Sequence, residues 1–479
     1  MSPRLIVVSN RVTAPEPGKP TAAGGLAVAV KAALRNRRGL WFGWSGAASD
    51  NPDFEPRFVE RNRITYAVMD LSTADYQEYY NGFANRVLWP ILHYRVDLSE
   101  YSNTDLDGYL RVNRIFAEKI SKLLQPDDVV WVHDYHLMPL ARELRARGCE
   151  NPIGFFLHIP CPPPDLLMTI PKHRETLGSL VHYDLVGFQT ENDRDNFGRY
   201  LTQEGATASR DGATYTQGER SLRIGAVPVG IETAVFARLA RNAERSDFAQ
   251  EFKRSLEGAS LIVGVDRLDY SKGLKERLEG YERFLATRPE WHGKVTYLQI
   301  TPTSRGEIKE YADIDRMVSE TVGHANGRYG QASWTPLRYV NRSYSRPALA
   351  GIYRAANVAL VTPLRDGMNL VAKEFVAAQN PEDPGVLILS QFAGAAAELD
   401  GALLINPHEV EAIPDAINVA LAMGRDERIE RHSRMLARIS AYGVDHWARS
   451  FLEALAGAQR RPGLFNNIRQ LFRDRIPLL

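Results

Sequence analysis

Arg267 and Lys272 lie in the segment Asp266-Arg267-Leu268-Asp269-Tyr270-Ser271-Lys272-Gly273, directly after the apolar run Leu261–Val265. A buried strand there would deliver both cations at the carboxyl end of a sheet. That position suits a diphosphate whose negative charge grows as it leaves a carbon centre. The competing reading is a surface pairing with Asp266 or Asp269. A second chemical element, Pro363 to Glu374, follows the apolar run Val358–Thr362. In it Gly367 permits an unusual turn, and Met368 and Asn369 lead into a helix whose first N–H groups can face a sugar or phosphate. Glu374 falls about one turn inside that helix, where a carboxylate can accept hydrogen bonds from a ribose diol. A plain helix cap over a buried carboxylate is the alternative. A third element starts at Ser9-Asn10-Arg11 and resumes, after a proline-rich loop, at Ala23-Gly24-Gly25-Leu26. Gly24 and Gly25 at a helix start would let backbone N–H groups approach an anion, and Arg11 adds a charged fork. A tight turn explains the glycine pair equally well.

The elements that must position these groups alternate between two kinds. Leu5–Ser9, Val129–Val132, Ile153–Leu157, Asp184–Phe188 and Ile224–Val229 read as buried strands of a first series. Leu261–Val265, Val295–Ile300, Val358–Thr362, Val386–Leu389 and Leu403–Ile405 form a second. Between them, Tyr109–Leu124, Glu307–Val322 and Ile413–Met423 carry apolar residues at helical spacing. Alternating strands and helices predict an α/β protein with doubly wound parallel sheets, and two series predict two Rossmann-like domains. We place an N-terminal domain at 1–235, a C-terminal domain at 236–455 and a tail at 456–479. The break is expected within Gly230–Ser246. Ligands of such sheets sit beyond the carboxyl ends of the strands, so the natural site is a cleft between the domains. From Pro462 to Leu479 the apolar residues gather on one helical face, which predicts a helix docking on the protein or on a partner subunit.

Bulk composition narrows the partners. The chain has 479 residues, 44% hydrophobic and 24% charged, with a formal net charge of +1. Nothing global draws it to nucleic acid or an anionic membrane, so an anion site must be built locally. Cys149 and Cys161 are too few for a disulfide framework or a cysteine zinc site. Met1–Arg4 run straight into Leu5–Val8, which is too short for a secretory apolar region, and a cytoplasmic location is the expectation. His133-Asp134-Tyr135-His136 has the residue types of a metal site. After a strand the two histidines need not converge, and no further ligands stand at recognisable spacing. No metal or resident cofactor is expected. The tryptophans Trp41, Trp44 and Trp89 and the pair Tyr79-Tyr80 can be core aromatics, and for Trp44 that is the preferred reading.

The ordered segments VVSNR, AGGLAV, LWFGWSG, EYYNGFANRVLWP, VWVHDYHLMPL, IGFFLHIP, YDLVGFQTEND, RLDYSKG, PTSRG and TPLRDGMNLVAKEFVAAQ resemble the trehalose-6-phosphate synthases. That is a retaining glycosyltransferase family of the two-Rossmann GT-B architecture, which implies that 1–235 binds the acceptor and 236–455 the nucleotide sugar. The resemblance implies transfer of glucose from UDP-glucose to glucose 6-phosphate by an enzyme forming a homo-oligomer, a dimer or tetramer. It implies an acceptor phosphate held by Arg11, Tyr80, Trp89 and Arg305, with Trp41 nearby and Asp134 on acceptor hydroxyls. It places Gly24, Gly25, Arg267 and Lys272 on the donor diphosphate, Glu374 on the ribose with the Leu370, Val371 and Ala372 backbone beside it, and Tyr344 near the base. His158 and Asp366 would hold the transferred glucose. Cys161-Pro162-Pro163-Pro164-Asp165 departs from the family's usual aromatic and Pro-x-Pro-Glu pattern, and Cys161 reads as a small packed side chain. Rival readings are a sister transferase making a glucosylglycerol phosphate or coupling a cyclitol, and a non-catalytic sugar-phosphate sensor. The retained Arg11, Tyr80, Trp89 and Arg305 oppose the first, and the retained Arg267, Lys272 and Glu374 oppose the second.

Overall fold

In a computed structural model the described residues are 4–15, 25–35, 38–302 and 309–458. Gly24, Arg305 and the helix expected over Pro462–Leu479 lie outside them. The chain divides into two compact units, one ending at Val229 and resuming at Val444, the other spanning Gly230–Gly443.

Short runs of branched and aromatic residues form the strands of the first unit, as β propensity favours. They are β1 (Leu5–Arg11), β2 (Gly39–Ser49), β3 (Arg57–Arg61), β4 (Ile64–Ser72), β5 (Val129–His133), β6 (Ile153–Phe156), β7 (Leu185–Phe188), β8 (Thr207–Ala208), β9 (Thr214–Gln217) and β10 (Arg220–Ala226). They make one sheet in the order β3-β4-β2-β1-β5-β6-β7-β10-β9-β8. Its centre is parallel, while β3, β8 and β9 pair antiparallel at the margins. The strand order reverses between β1 and β5, where Ser9 stands beside His133. That reversal is where open α/β sheets leave a crevice beyond their strand ends.

The second unit holds β11 (Ser260–Val265), β12 (Val295–Ile300), β13 (Leu337–Val340), β14 (Val358–Val361), β15 (Val386–Ser390) and β16 (Leu403–Ile405). All are parallel, in the order β13-β12-β11-β14-β15-β16, so the reversal falls between β11 and β14. Ile262, Leu360 and Ile388 of the sheet pack with Leu278, Tyr281 and Ile417 of flanking helices in one core.

The two-unit parallel α/β architecture is as expected, with corrections. The first sheet is mixed rather than wholly parallel. β2 is interrupted by Gly43, Ser45 and Gly46, and β3 is exposed at every residue, so neither shows the continuous apolar run of a buried strand. The boundary falls at Val229/Gly230 rather than 235/236. The helix Val444–Ala458, expected in the second domain up to residue 455, belongs to the first unit.

The reason is steric fit. Phe451 stacks on Trp131 of β5 at 4.7 Å and 12°, and Trp447 packs beside it. Neighbouring strands make room with glycine: a Cβ on Gly154 would lie 2.7 Å from the Phe451 ring, and one on Gly187 2.8 Å from it. The helix Val444–Ala458 therefore completes the first unit's core. Among the described residues no helix is long and apolar enough to cross a membrane. Phe451→Ala is expected to lower unfolding free energy by about 3–5 kcal/mol, and Gly154→Val by about 1–3 kcal/mol through overpacking. Urea unfolding checks both; wild-type midpoints would refute the docking account.

Candidate active site

In the second unit the loops after β11 and β14 are stitched together. The Ser271 carbonyl accepts the Leu364 N–H at 2.8 Å. Gly273 takes φ 64°, and a Cβ there would collide with the Thr362 carbonyl oxygen, so glycine is required at that turn. Across this seam Lys272 Nζ donates to Asp366 Oδ2 at 2.7 Å, with side-chain exposures of 10% and 15%. Asn369 Nδ2 donates to the same oxygen at 3.1 Å. Neither rival partner takes Lys272: Asp266 is bound by Arg277, and Asp269 accepts from the Ser271 N–H and hydroxyl. Arg267 is exposed at the start of the same loop.

Asn369 carries an unusual backbone, φ 80° and ψ 90°, while its side chain caps the Ala372 N–H at 3.2 Å. The helix Leu370–Ala378 follows, so Leu370, Val371 and Ala372 form its first turn. Gly367 approaches Gly394 so closely that a Cβ on the latter would strike the Gly367 carbonyl. The Met368 carbonyl accepts the Ala395 N–H at 2.8 Å. Glu374 keeps some exposure, but protein crowds its carboxyl, and burial pushes its pKa up to about 7 against the opposing pull of Arg346. The adjacent Lys373 is buried and donates to Glu398 at 2.5 Å, a structural pair. Tyr344 packs against Phe248 and lies under Arg342, 5.1 Å from the guanidinium carbon.

In the first unit a cavity of about 340 Å³ opens at the carboxyl ends of β1 and β5, lined by Asn10, Arg11, Lys31, Trp41, His133 and Asp134 among others. Trp41 Nε1 donates to Ser9 Oγ at 2.9 Å, and the Tyr79 hydroxyl donates to Asn10 Oδ1 at 2.8 Å. Arg11 stands over Trp44 at 5.8 Å and against Gly46, where φ is 99° and a Cβ would lie 2.6 Å from its Nε. Tyr80 tilts onto Trp44 at 5.6 Å and stacks on His136 at 5.8 Å and 11°. Tyr135 joins His136 at 3.9 Å and Trp89 at 5.6 Å. One aromatic series thus leads from Arg11 to Trp89, which is itself 4% exposed. Tyr80 comes from a π-helical stretch, Tyr76–Leu88, whose last turn bonds the Trp89 N–H to the Ala84 carbonyl. Such coils recur at functional sites.

Asp134 sits at φ 76° and ψ 165°, a region almost reserved for glycine and costing about 1–3 kcal/mol. Its Oδ1 accepts the His158 N–H at 3.2 Å. The His158 ring lies between Gln189 Nε2, 3.5 Å from Nδ1, and His133, whose Nδ1 is 3.0 Å from its Nε2. Gln189 Oε1 accepts the Val229 N–H, so its amide nitrogen faces His158. That order makes His158 Nδ1 an acceptor and Nε2 the donor to His133. Burial holds the His158 imidazole at about 3, so it is neutral near pH 7. Among the described residues no group of three or more His, Cys, Asp or Glu is placed to hold a metal ion.

The structure therefore gathers Arg11, Trp41 and Asp134 around one cavity, with Gly25 opening the helix that leads to Lys31. It gathers Lys272, Asp366, Gly367 and Asn369 at the other sheet's reversal. Lys31 was not singled out from the sequence, although it is the one charged residue in the otherwise apolar helix Gly25–Leu34. Trp44 is buried as expected, yet it also carries Arg11 and Tyr80. Cys161 is fully buried, with its N–H on Asp193, consistent with a packed side chain.

The profile of glycosyltransferase family 20 matches residues 4–457. A trehalose-6-phosphate synthase of Sinorhizobium fredii is 52% identical over 462 residues, covering 96% of this chain and 100% of the relative. A crystal structure of a UDP-forming alpha,alpha-trehalose-phosphate synthase from Burkholderia xenovorans in complex with glucose-6-phosphate is similar at 46% identity and TM-score 0.91, covering 94% of this chain and 99% of that one. An E. coli structure bound with UDP-2-fluoro glucose is similar at 46% identity and TM-score 0.90, covering 96% and 100%. With the family profile spanning both units, and relatives matched along nearly their whole length, this chain belongs to glycosyltransferase family 20 and has the GT-B fold class.

Proposed function

We propose that this chain is a retaining glucosyltransferase that moves glucose from UDP-glucose to glucose 6-phosphate, giving α,α-trehalose 6-phosphate and UDP. The observation that carries the reading is the Lys272–Asp366 pair at the β11/β14 reversal, held at 2.7 Å. A scissile bond between a sugar carbon and a phosphate oxygen needs a cation on one side and a hydroxyl acceptor on the other, about one hydrogen bond apart. Lys272 with Arg267 serves the diphosphate, and Asp366 serves hydroxyls of the transferred glucose. Gly367, Met368, Asn369 and the Leu370–Ala372 turn line the donor, Glu374 takes the ribose diol, and Tyr344 flanks the base.

On the acceptor side Arg11, Tyr80, Trp89 and Arg305 hold the phosphate, and Lys31 adds a cation from the same cavity. Trp41 forms its wall, Asp134 takes hydroxyls, and neutral His158 offers neither charge nor a proton to lose near pH 7. Gly24 and Gly25 present backbone N–H groups to the diphosphate. In the transfer, the C1–O bond to the β-phosphate breaks with its electron pair leaving on oxygen. The acceptor hydroxyl bonds C1 from the same face and gives its proton to that departing oxygen. Arg267 and Lys272 stabilise the growing charge. Asp366 is read as a hydroxyl ligand rather than a nucleophile on the family resemblance, and its Oδ2 already accepts from Lys272 and Asn369. No resident cofactor enters the scheme. A cytoplasmic setting and a homo-oligomer, dimer or tetramer, belong to the same proposal, and light scattering of the purified chain measures the assembly.

Purified protein with UDP-glucose and either glucose 6-phosphate or glycerol 3-phosphate, products weighed by mass spectrometry, tests the activity; a glycerol product alone would reject it. The same assay after dialysis against EDTA is expected to keep full turnover, and a loss restored by Mg²⁺ would reject the metal-free scheme. Lys272→Ala is expected to lower kcat about 10²–10³-fold. Glu374 accepts from both ribose hydroxyls with its two oxygens only when ionised, and its raised pKa means the carboxylate is lost as pH falls through about 7. The donor KM should therefore rise about tenfold from pH 8 to pH 6, and Glu374→Gln should flatten that rise. A pH-independent donor KM in the wild type would sink the ribose assignment.

A further inference from the structure

Arg277, in the first turn of the helix Leu274–Thr287, is wholly buried. Its Nε donates to Thr362 Oγ1 at 2.9 Å, Nη1 to Asp266 Oδ2 at 2.5 Å and Gln299 Oε1 at 3.2 Å, and Nη2 to the Lys272 carbonyl at 3.1 Å. Those acceptors come from β12, from the residues just past β11 and β14, and from the turn that carries Lys272. β11 leaves space for the fork with Gly264, where a Cβ would stand 3.0 Å from Nη1.

A guanidinium stripped of water is costly unless its donors are used, and this one makes four bonds, to a single carboxylate and three neutral oxygens. With no exposed surface it cannot touch a substrate. What it does touch are the two segments that end in Lys272 and Asp366. Thr362 begins the path to Asp366, and the Lys272 carbonyl is the backbone behind the ammonium. The planar fork therefore ties both loops to the sheet at fixed angles, which an ammonium on a flexible stem cannot do.

We propose that Arg277 is a positioning residue for glucosyl transfer: it sets where the Lys272 ammonium stands relative to the Asp366 carboxylate. The proposal rests on the reading of Lys272 as the diphosphate cation. Arg277 acts through Lys272, so the two form one functional unit and their removal cannot be additive.

The test is a cycle of wild type, Arg277→Lys, Lys272→Ala and the double variant, each assayed for kcat, both KM values and thermal midpoint. Arg277→Lys keeps a charge against Asp266 but cannot reach Thr362, Gln299 and the Lys272 carbonyl together. It is expected to lower kcat by about 10–10²-fold through misplacement of the ammonium, with the KM for glucose 6-phosphate unchanged. The double variant is expected to turn over no more slowly than Lys272→Ala alone. Losses that multiply in the double variant, or a wild-type kcat in Arg277→Lys, overturn the positioning role and leave the reading of Lys272 standing. Full turnover in Lys272→Ala instead overturns that reading, and the proposal with it. Should Arg277→Lys fail to fold, Arg277→Met with Asp266→Asn removes both buried charges and enters the same cycle with the same outcomes.

Discussion

The constraint on which the second unit's site depends is that opposite charges must be held ready without cancelling each other's use. Lys272 and Asp366 meet at 2.7 Å in a place that is only partly wet. In open water such a pair is worth about 0–1 kcal/mol. Here the loops that carry it are locked by Gly273, Ser271 and Asn369, so little side-chain freedom remains to be lost when substrate arrives. In the proposed transfer, an incoming diphosphate gives the ammonium a better anion, and the released carboxylate takes sugar hydroxyls. The resting pair keeps both groups aimed until that exchange.

The first unit solves its positioning by stacking rather than by charge. Arg11 rests on Trp44, Trp44 on Tyr80, Tyr80 on His136 and His136 on Tyr135. Rings in contact lose few rotamers and transmit a position faithfully, so a cation at the cavity edge inherits its place from a wall several side chains deep. Asp134 adds the opposite device, a costly backbone tolerated because β5 and β6 over-determine it through the Phe156 carbonyl at 2.9 Å. Among the described residues each unit has one such strained non-glycine residue in the loop beyond its strand-order reversal, Asp134 and Asn369.

How much of this was readable beforehand follows from how each element declares itself. Val-rich strands announce their ends, so the sequence alone places Arg267, Lys272 and Asp366 beyond the carboxyl ends of strands and Glu374 one turn inside the helix that follows. β2 could not, because its burial comes from tryptophan and phenylalanine separated by glycine and serine. The stretch Tyr76–Leu88 could not either, since a π-helical coil breaks the spacing by which helices are recognised. Lys31 is not legible in the sequence, because a lone lysine in an apolar helix carries no motif and looks like any solvated side chain. The helix Val444–Ala458 was assigned by proximity in sequence, whereas its partners are glycines on strands made far earlier.

The helix Val444–Ala458 is synthesised after every strand it packs on. Trp131, Gly154 and Gly187 form an aromatic-sized slot that stays open on the nascent chain until the whole second unit has left the ribosome. The leading half is thus translated as an unfinished body, sealed only when the trailing helix arrives. Its maturation awaits translation of Val444–Ala458 rather than ending with the synthesis of its own strands.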